Sequence, residues 1–351
     1  MKGKISILCL VFVLLFTMST LALTEEELAD LPEMEMTFAH NAVADPTMHN
    51  QGPALAFKKY VEDQTNGKIT VNISPGGALG GTASLQEQTM TGAIEVSCSH
   101  TEGTIAMVYP KIQVISIPYL FRSVDHALSV FESDIGQEMF EELKNKTGLR
   151  VIGFWDNGGF RNFTNNKRPV RNAEDMEGLS IRTMEIPAHM KLVEALGASA
   201  TPIGWEELYS SLQTGVVDGQ ENSIPVILGG SLQEVQKYLT LDGHVYSQIH
   251  LLANNEWFND LPLEYQRVIE EAGYRAQVKG REVTRILRDR GLSEIAANNT
   301  EIYDPTPEEM ETFREASQDV VREYIEDQIG EEFVNEFVEA AEEKAEFWKY
   351  E

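Results

Sequence analysis

Residues 178–222, GLSIRTMEIPAHMKLVEALGASATPIGWEELYSSLQTGVVDGQEN, decide the fold. Ile181–Thr183 reads as a short strand, and Ala188–Leu196 as a helix closed by Gly197. Trp205–Leu212 reads as a second helix, and Val216-Val217 as the next strand. Strands alternating with helices build an α/β sheet, and ligands of such sheets collect at the carboxyl ends of the strands. Arg182, Trp205 and Asn222 stand at the ends of these pieces. A guanidinium fork, a flat apolar ring and an amide converging on one point suit a small planar carboxylate.

The same alternation extends in both directions. Upstream, Glu33–Ala39 alternates as a first strand, and Pro53–Thr65 forms a helix stopped by Asn66-Gly67. Ile69, Val71 and Ile73 alternate as a second strand, followed by a glycine-punctuated loop at 76–81, a helix around Leu85–Thr91, and a strand at Ile94–Cys98. The pattern restarts near Val151 and runs to Val217. Two α/β units in series, with no low-complexity linker, imply two lobes with a cleft between them. The C-terminal third is mainly helical. Leu263 to about Leu287 is a long helix, and Thr306-Pro307-Glu308-Glu309 opens another with an N-cap, a first-turn proline and a capping-box glutamate.

Bulk properties narrow the function. Residues 1–23 show a basic head (Lys2, Lys4), an apolar core (Ile5–Phe16) and a Thr20-Leu21-Ala22 exit, which is the pattern of a secretory signal peptide cleaved near Ala22. A membrane anchor is the alternative reading of that run. No later segment is apolar enough to span a bilayer, so the mature chain is expected to be soluble. The formal charge of −28 becomes −30 once Lys2 and Lys4 are lost. Such a field repels nucleic acid and anionic membranes. It also opposes an anionic ligand at long range, so a carboxylate site must depend on local arginines. A solvated helical face explains most of the acid after Pro305, with adaptation to saline surroundings as the weaker account. Cys9 leaves with the signal and Cys98 is then alone, so no internal disulfide forms, and its strand-like setting makes it a buried thiol.

With these residues in hand, a resemblance becomes specific. NGGFRNFTNNKRPV, EDMEGLSIRT, LGASATPIGWEELY and LQTGVVDGQEN, together with TFAHNA near Asn41, GALGGTASLQEQTMTGAIEVS, IPYLF, EVQKYL and NNEWFNDLP, resemble the DctP-type solute-binding receptors of TRAP (tripartite ATP-independent periplasmic) transporters. Nearly the whole mature chain is covered in the family's order. The resemblance implies a two-lobed periplasmic-binding-protein-like fold, with lobe I at 24–157 plus 248–287 and lobe II at 158–247 plus 288–351. It implies a periplasmic receptor that hands a small organic acid to membrane permease subunits, with no catalysis and no cofactor. Transport would then be powered by an ion gradient across those subunits.

The residues carry this reading one by one. Arg182 is either a surface arginine paired with a nearby acid or the anchor of a carboxylate, and the resemblance favours the anchor. Arg161, after a strand at Val151–Trp155 and a glycine turn, is a second polar contact or else an interlobe salt bridge. Trp205 stacks on a planar ligand or anchors the core, and Asn222 hydrogen-bonds a ligand or caps its turn. Asn41 matches a pocket position of the family. His100 falls where some relatives carry an acid, and Glu185 adds an acid three residues beyond Arg182. These two departures favour a hydroxylated tail, hence a sugar acid or hydroxy acid. Seven histidines show no metal-ligand spacing, so no metal is expected. Two rivals remain: a secreted enzyme acting on a uronic or hydroxy acid with His100 and Glu185 as its acid–base pair, and a binding protein feeding a sensor.

Overall fold

The protein is represented by a computed structural model that describes residues 23–345. Of the expected signal segment, residues 1–23, all but Leu23 lie outside them. Nine strands form one mixed sheet among the described residues: β1 (Met34–Ala39), β2 (Ile69–Ser74), β3 (Val96–His100), β4 (Leu149–Asn165), β5 (Ser180–Thr183), β6 (Ser199–Pro202), β7 (Gly219–Asn222), β8 (Tyr238–Asn254) and β9 (Glu301–Tyr303). The order is β2-β1-β3-β8-β4-β7-β5-β6, with β9 on β8. Each α/β unit read from the sequence supplies a parallel trio. β1 lies between β2 and β3, and β5 between β6 and β7. Their alternation has the expected cause: Met36 and Phe38 of β1 and Ile69 and Val71 of β2 are buried against Phe57 and Val61 of the helix Gln51–Gln64. Each such side chain contributes about 1.5–3 kcal/mol by leaving water.

The trios are joined by a feature the sequence reading reduced to one short strand. β4 and β8 are 17 residues each and run antiparallel from Leu149↔Asn254 to Asn165↔Tyr238. The polar run Asp156-Asn157 and the histidines of β8 hide the period-two pattern, because these polar groups are buried and paired rather than solvated. Register shifts near Gly153, Gly158-Gly159 and Phe163 bend the ribbon, and Gly158 and Gly159 take φ of +85° and +86°. A second correction concerns Val216-Val217. The strand is Gly219–Asn222, while Val216 is 65% exposed in the turn that precedes it.

Helices cover the sheet. The helix Leu263–Ala297 runs ten residues beyond Leu287 and is about 52 Å long. It crosses β4 where Gly273 meets the Ile152 carbonyl and Gly280 meets the Trp155 ring, so both close approaches require glycine. Thr306 caps the helix Pro307–Ile329 through the reciprocal bonds of a capping box, as read from the sequence. That helix and Glu331–Ala345 close a core in which Phe121 meets Tyr246 and Phe337 edge to face, and Phe131 stacks on Tyr246 and tilts against Phe337. Among the described residues no helix is long and apolar enough to cross a membrane.

Candidate ligand-binding site

The two parallel trios point their carboxyl ends at one cavity of about 320 Å³. One wall comes from the first trio: Asn41 just after β1, Ser99 in β3, and the loop holding Met48, His49 and Asn50. The other wall comes from the second: Arg182 in β5, Met184 just after it, Ile203 after β6 and Asn222 at the end of β7. Asn157 and Arg161 rise from β4. Of the seven residues read from the sequence, six line this cavity: Arg182, Arg161, Asn222, Trp205, Asn41 and Glu185.

Arg182 is 2% exposed, and its one protein hydrogen bond is donated by Nε to the Ile203 carbonyl at 2.8 Å. Neither Nη group has a protein partner among the described residues. Burial pulls its pKa down to about 10, with Glu221 opposing that shift, so the group is still a cation near neutral pH. A desolvated guanidinium whose fork is unmatched calls for an anion.

Arg161, also buried, is different. Its Nε and Nη2 bind the Glu221 carboxylate, and Nη2 donates to the Glu221 carbonyl at 2.7 Å, so two of its three nitrogens are engaged by one residue. Glu221, which holds Arg161 in place, is a residue the sequence reading missed. Burial would raise its pKa, but Arg161, His189 and His244 together hold it well below the usual carboxylate range. His244 Nδ1 lies 2.6 Å from Asp242, and its Nε2 lies 3.4 Å from Glu221. Burial alone would lower the His244 pKa; Asp242 and then Glu221 outweigh it and raise it to about 9. Phe163 stacks on the ring at 4.3 Å. Arg161 is thus in a salt bridge, but its partner is Glu221 of the neighbouring strand, within the same stretch 158–247 expected to form lobe II, and not the interlobe partner of the alternative reading.

Trp205 opens its helix with its ring against Gly230, where a Cβ would stand 2.8 Å from Cη2. Asn222 Nδ2 donates to Gln220 Oε1 at 2.6 Å, and Asn41 Nδ2 to Thr82 Oγ1 at 2.8 Å. Glu185 is exposed on the wall.

His100 does not line the cavity. A register shift between Ser97 and His100, with Ser99 at φ +89°, turns the imidazole into the sheet beside His250. There its Nε2 meets Ser97 Oγ at 2.7 Å, and burial lowers its pKa to about 3. The acid–base pair His100 and Glu185 is therefore not assembled in the cavity. In its place the first wall supplies His49, which burial and His40 keep neutral with a pKa of about 4. Among the described residues no cluster of three or more His, Cys, Asp or Glu could hold a metal ion.

The model of the family described as bacterial extracellular solute-binding protein, family 7 (DctP) matches residues 38–328. A solute-binding protein of Verminephrobacter eiseniae is 34% identical over 258 residues, 73% of this chain and 76% of that protein. The sugar acid binding protein DctPAm of Advenella mimigardefordensis, solved with galactonate, matches with a TM-score of 0.84 at 30% identity, covering 90% of this chain and 100% of that one. A TRAP periplasmic solute binding protein of Polaromonas sp. JS666, solved with D-erythronate, matches with a TM-score of 0.80 at 30% identity, covering 87% and 98%.

Proposed function

The chain belongs to family 7 of the bacterial extracellular solute-binding proteins, and we propose that its solute is a small organic acid, a sugar acid or hydroxy acid, anchored by Arg182. It is a TRAP solute receptor, with a two-lobed fold shared with the galactonate and D-erythronate receptors. In our reading Arg182 takes the carboxylate with two parallel hydrogen bonds. Asn222 and Arg161 orient its oxygens, Trp205 packs on the carbon chain, and Asn41 meets the ligand from the opposite wall. Glu185 accepts from a hydroxyl. The lobes would be 24–157 plus 248–287 and 158–247 plus 288–351, moving about the β4–β8 ribbon. The receptor would be exported by residues 1–22 and would deliver its ligand to TRAP permease subunits.

The observation that carries this is the buried, unmatched fork of Arg182. A thermal-shift panel of small carboxylates, run on the mature protein and on Arg182→Ala, tests it. A ligand at a hundred times its Kd adds about 2.7 kcal/mol of stability. We expect at least one acid to raise the melting temperature of the wild type by several degrees and to do nothing for Arg182→Ala. A response of equal size in both proteins would overturn the assignment.

A further inference from the structure

Resting on the reading just given, we propose that the site is selective for acids with one carboxylate and a tail of hydrogen-bond donors, and that it rejects acids with a carboxylate at each end.

The charges on the cavity wall allow one anion. Among the described residues two cations line it, and only one is free of an ion pair. Arg161 is bound on two atoms by Glu221 and is also within the field of the buried Glu102. The neutral His49 adds no charge. Among the described residues that leaves Arg182 as the one cation on the wall whose charge no protein carboxylate already meets at hydrogen-bond distance. Two acids, Glu185 and Glu206, share the wall and act on Arg182 through space. A second ligand carboxylate would find no cation and two like charges.

The neutral groups have the same bias. Four asparagines line the cavity, and each donates one of its two amide N–H groups to the protein: Asn41 to Thr82, Asn50 to Ser99 at 2.7 Å, Asn157 to Ser247 at 3.4 Å, and Asn222 to Gln220. What remains on each is a second N–H and the carbonyl oxygen, groups that a hydroxylated tail satisfies and a hydrocarbon leaves unpaired. The Asn50 and Asn157 oxygens are buried with no partner, in residues only 1% and 6% exposed. An acceptor left in this state is stabilised by any donor brought within its reach. Hydroxyls supply such donors, and so does an ammonium group. A carboxylate tail supplies none, and neither does a hydrocarbon.

Isothermal titration with chemically matched acids separates these classes. Galactonate and galactarate differ only in the end group, hydroxymethyl against carboxylate, and D-erythronate and meso-tartrate repeat the comparison on a shorter chain. Hexanoate and 6-aminohexanoate compare a donor-free tail with an ammonium tail. We expect the better monocarboxylate of a matched pair to bind at least tenfold tighter than its dicarboxylate, and hexanoate to bind at least tenfold weaker than galactonate or 6-aminohexanoate. Whichever of the last two is tighter identifies the donor as hydroxyl or ammonium. Glu206→Gln, an exposed change, should narrow the gap between mono- and dicarboxylate by about threefold or more. Dicarboxylates that bind as tightly as their partners, through Arg182, would sink this inference and leave the receptor reading intact. If no acid binds, or if binding survives Arg182→Ala, the receptor reading falls and takes this one with it.

Discussion

Replacing Glu221 with glutamine removes one charge from a sealed cluster while keeping its shape. The cluster holds two cations, Arg161 and protonated His244, against two anions, Glu221 and Asp242, all at most 1% exposed. In the variant the Arg161 guanidinium keeps a neutral acceptor but loses its counter-charge in a desolvated place. Removing one partner of a buried pair costs about 3–5 kcal/mol. Against a typical total stability of about 5–15 kcal/mol this is easily measured. Urea unfolding of the ligand-free protein, followed by tryptophan fluorescence, should show a loss of that size at pH 7. The pH dependence gives a second check. The folded His244 pKa, about 9, lies above the unfolded value near 6.5. Its stabilisation is therefore fully present below about pH 6.5 and is lost as pH rises through 9. Without Glu221, one of the two carboxylates that raise this pKa is gone, so the variant should lose its share at lower pH than the wild type. A variant within about 1 kcal/mol of wild type, or a wild-type-to-variant gap that is flat from pH 6 to 10, would refute the view that these charges hold one another in place.

Two further outcomes follow from packing. Burial pushes the Cys98 thiol well above its usual range, so a thiol reagent should label the native protein only at the rate at which it unfolds; prompt labelling in buffer would contradict this. A Cβ on Gly280 would lie 2.5 Å from Trp155 ring atoms, so Gly280→Ala should lose about 1–3 kcal/mol in urea unfolding even though alanine is the better helix former, and a gain in stability would show that the helix can lift off β4.

Much of the site was legible because its residues sit at strand ends, and short strands could be placed from local alternation. Arg182, Asn222 and Asn41 were placed at such ends, and the family resemblance then favoured a ligand role for Arg182 and Asn41. What escaped was set by pairing between distant segments. Glu221 is one residue from Asn222, yet its role depends on β7 lying beside β4, with Phe163 opposite it in register. The β4–β8 ribbon was missed for the same reason: buried, paired polar residues look like loop in a single sequence. His100 was misplaced because a bulge at Ser99 shifts the side-chain alternation, so its neighbours Ser99 and Thr101 face the cavity instead.

The same positions bear on how the cleft shuts. Across the cavity the two walls touch at few points, and glycine is at two of them. Thr101 Oγ1 donates to Met184 Sδ at 3.7 Å, Gly103 lies against Ile186 and Met184, and Gly81 lies against the Glu206 carboxylate. A Cβ at Gly103 would stand 3.0 Å from Ile186 Cδ1 and 3.3 Å from Met184 Sδ, so a larger side chain there would prop the seam open. A ligand favours this arrangement only through contacts it makes in it and lacks when the walls part, which here means touching Arg182 and Asn41 together. Gly103→Leu leaves Arg182 untouched but makes joint contact harder. It should therefore weaken acid binding about tenfold or more in titration. The anchor should still work in the variant, since Arg182→Ala on the Gly103→Leu background should abolish what binding remains. Unchanged affinity in Gly103→Leu would mean that ligand is held by one wall alone, and that closure adds nothing to recognition.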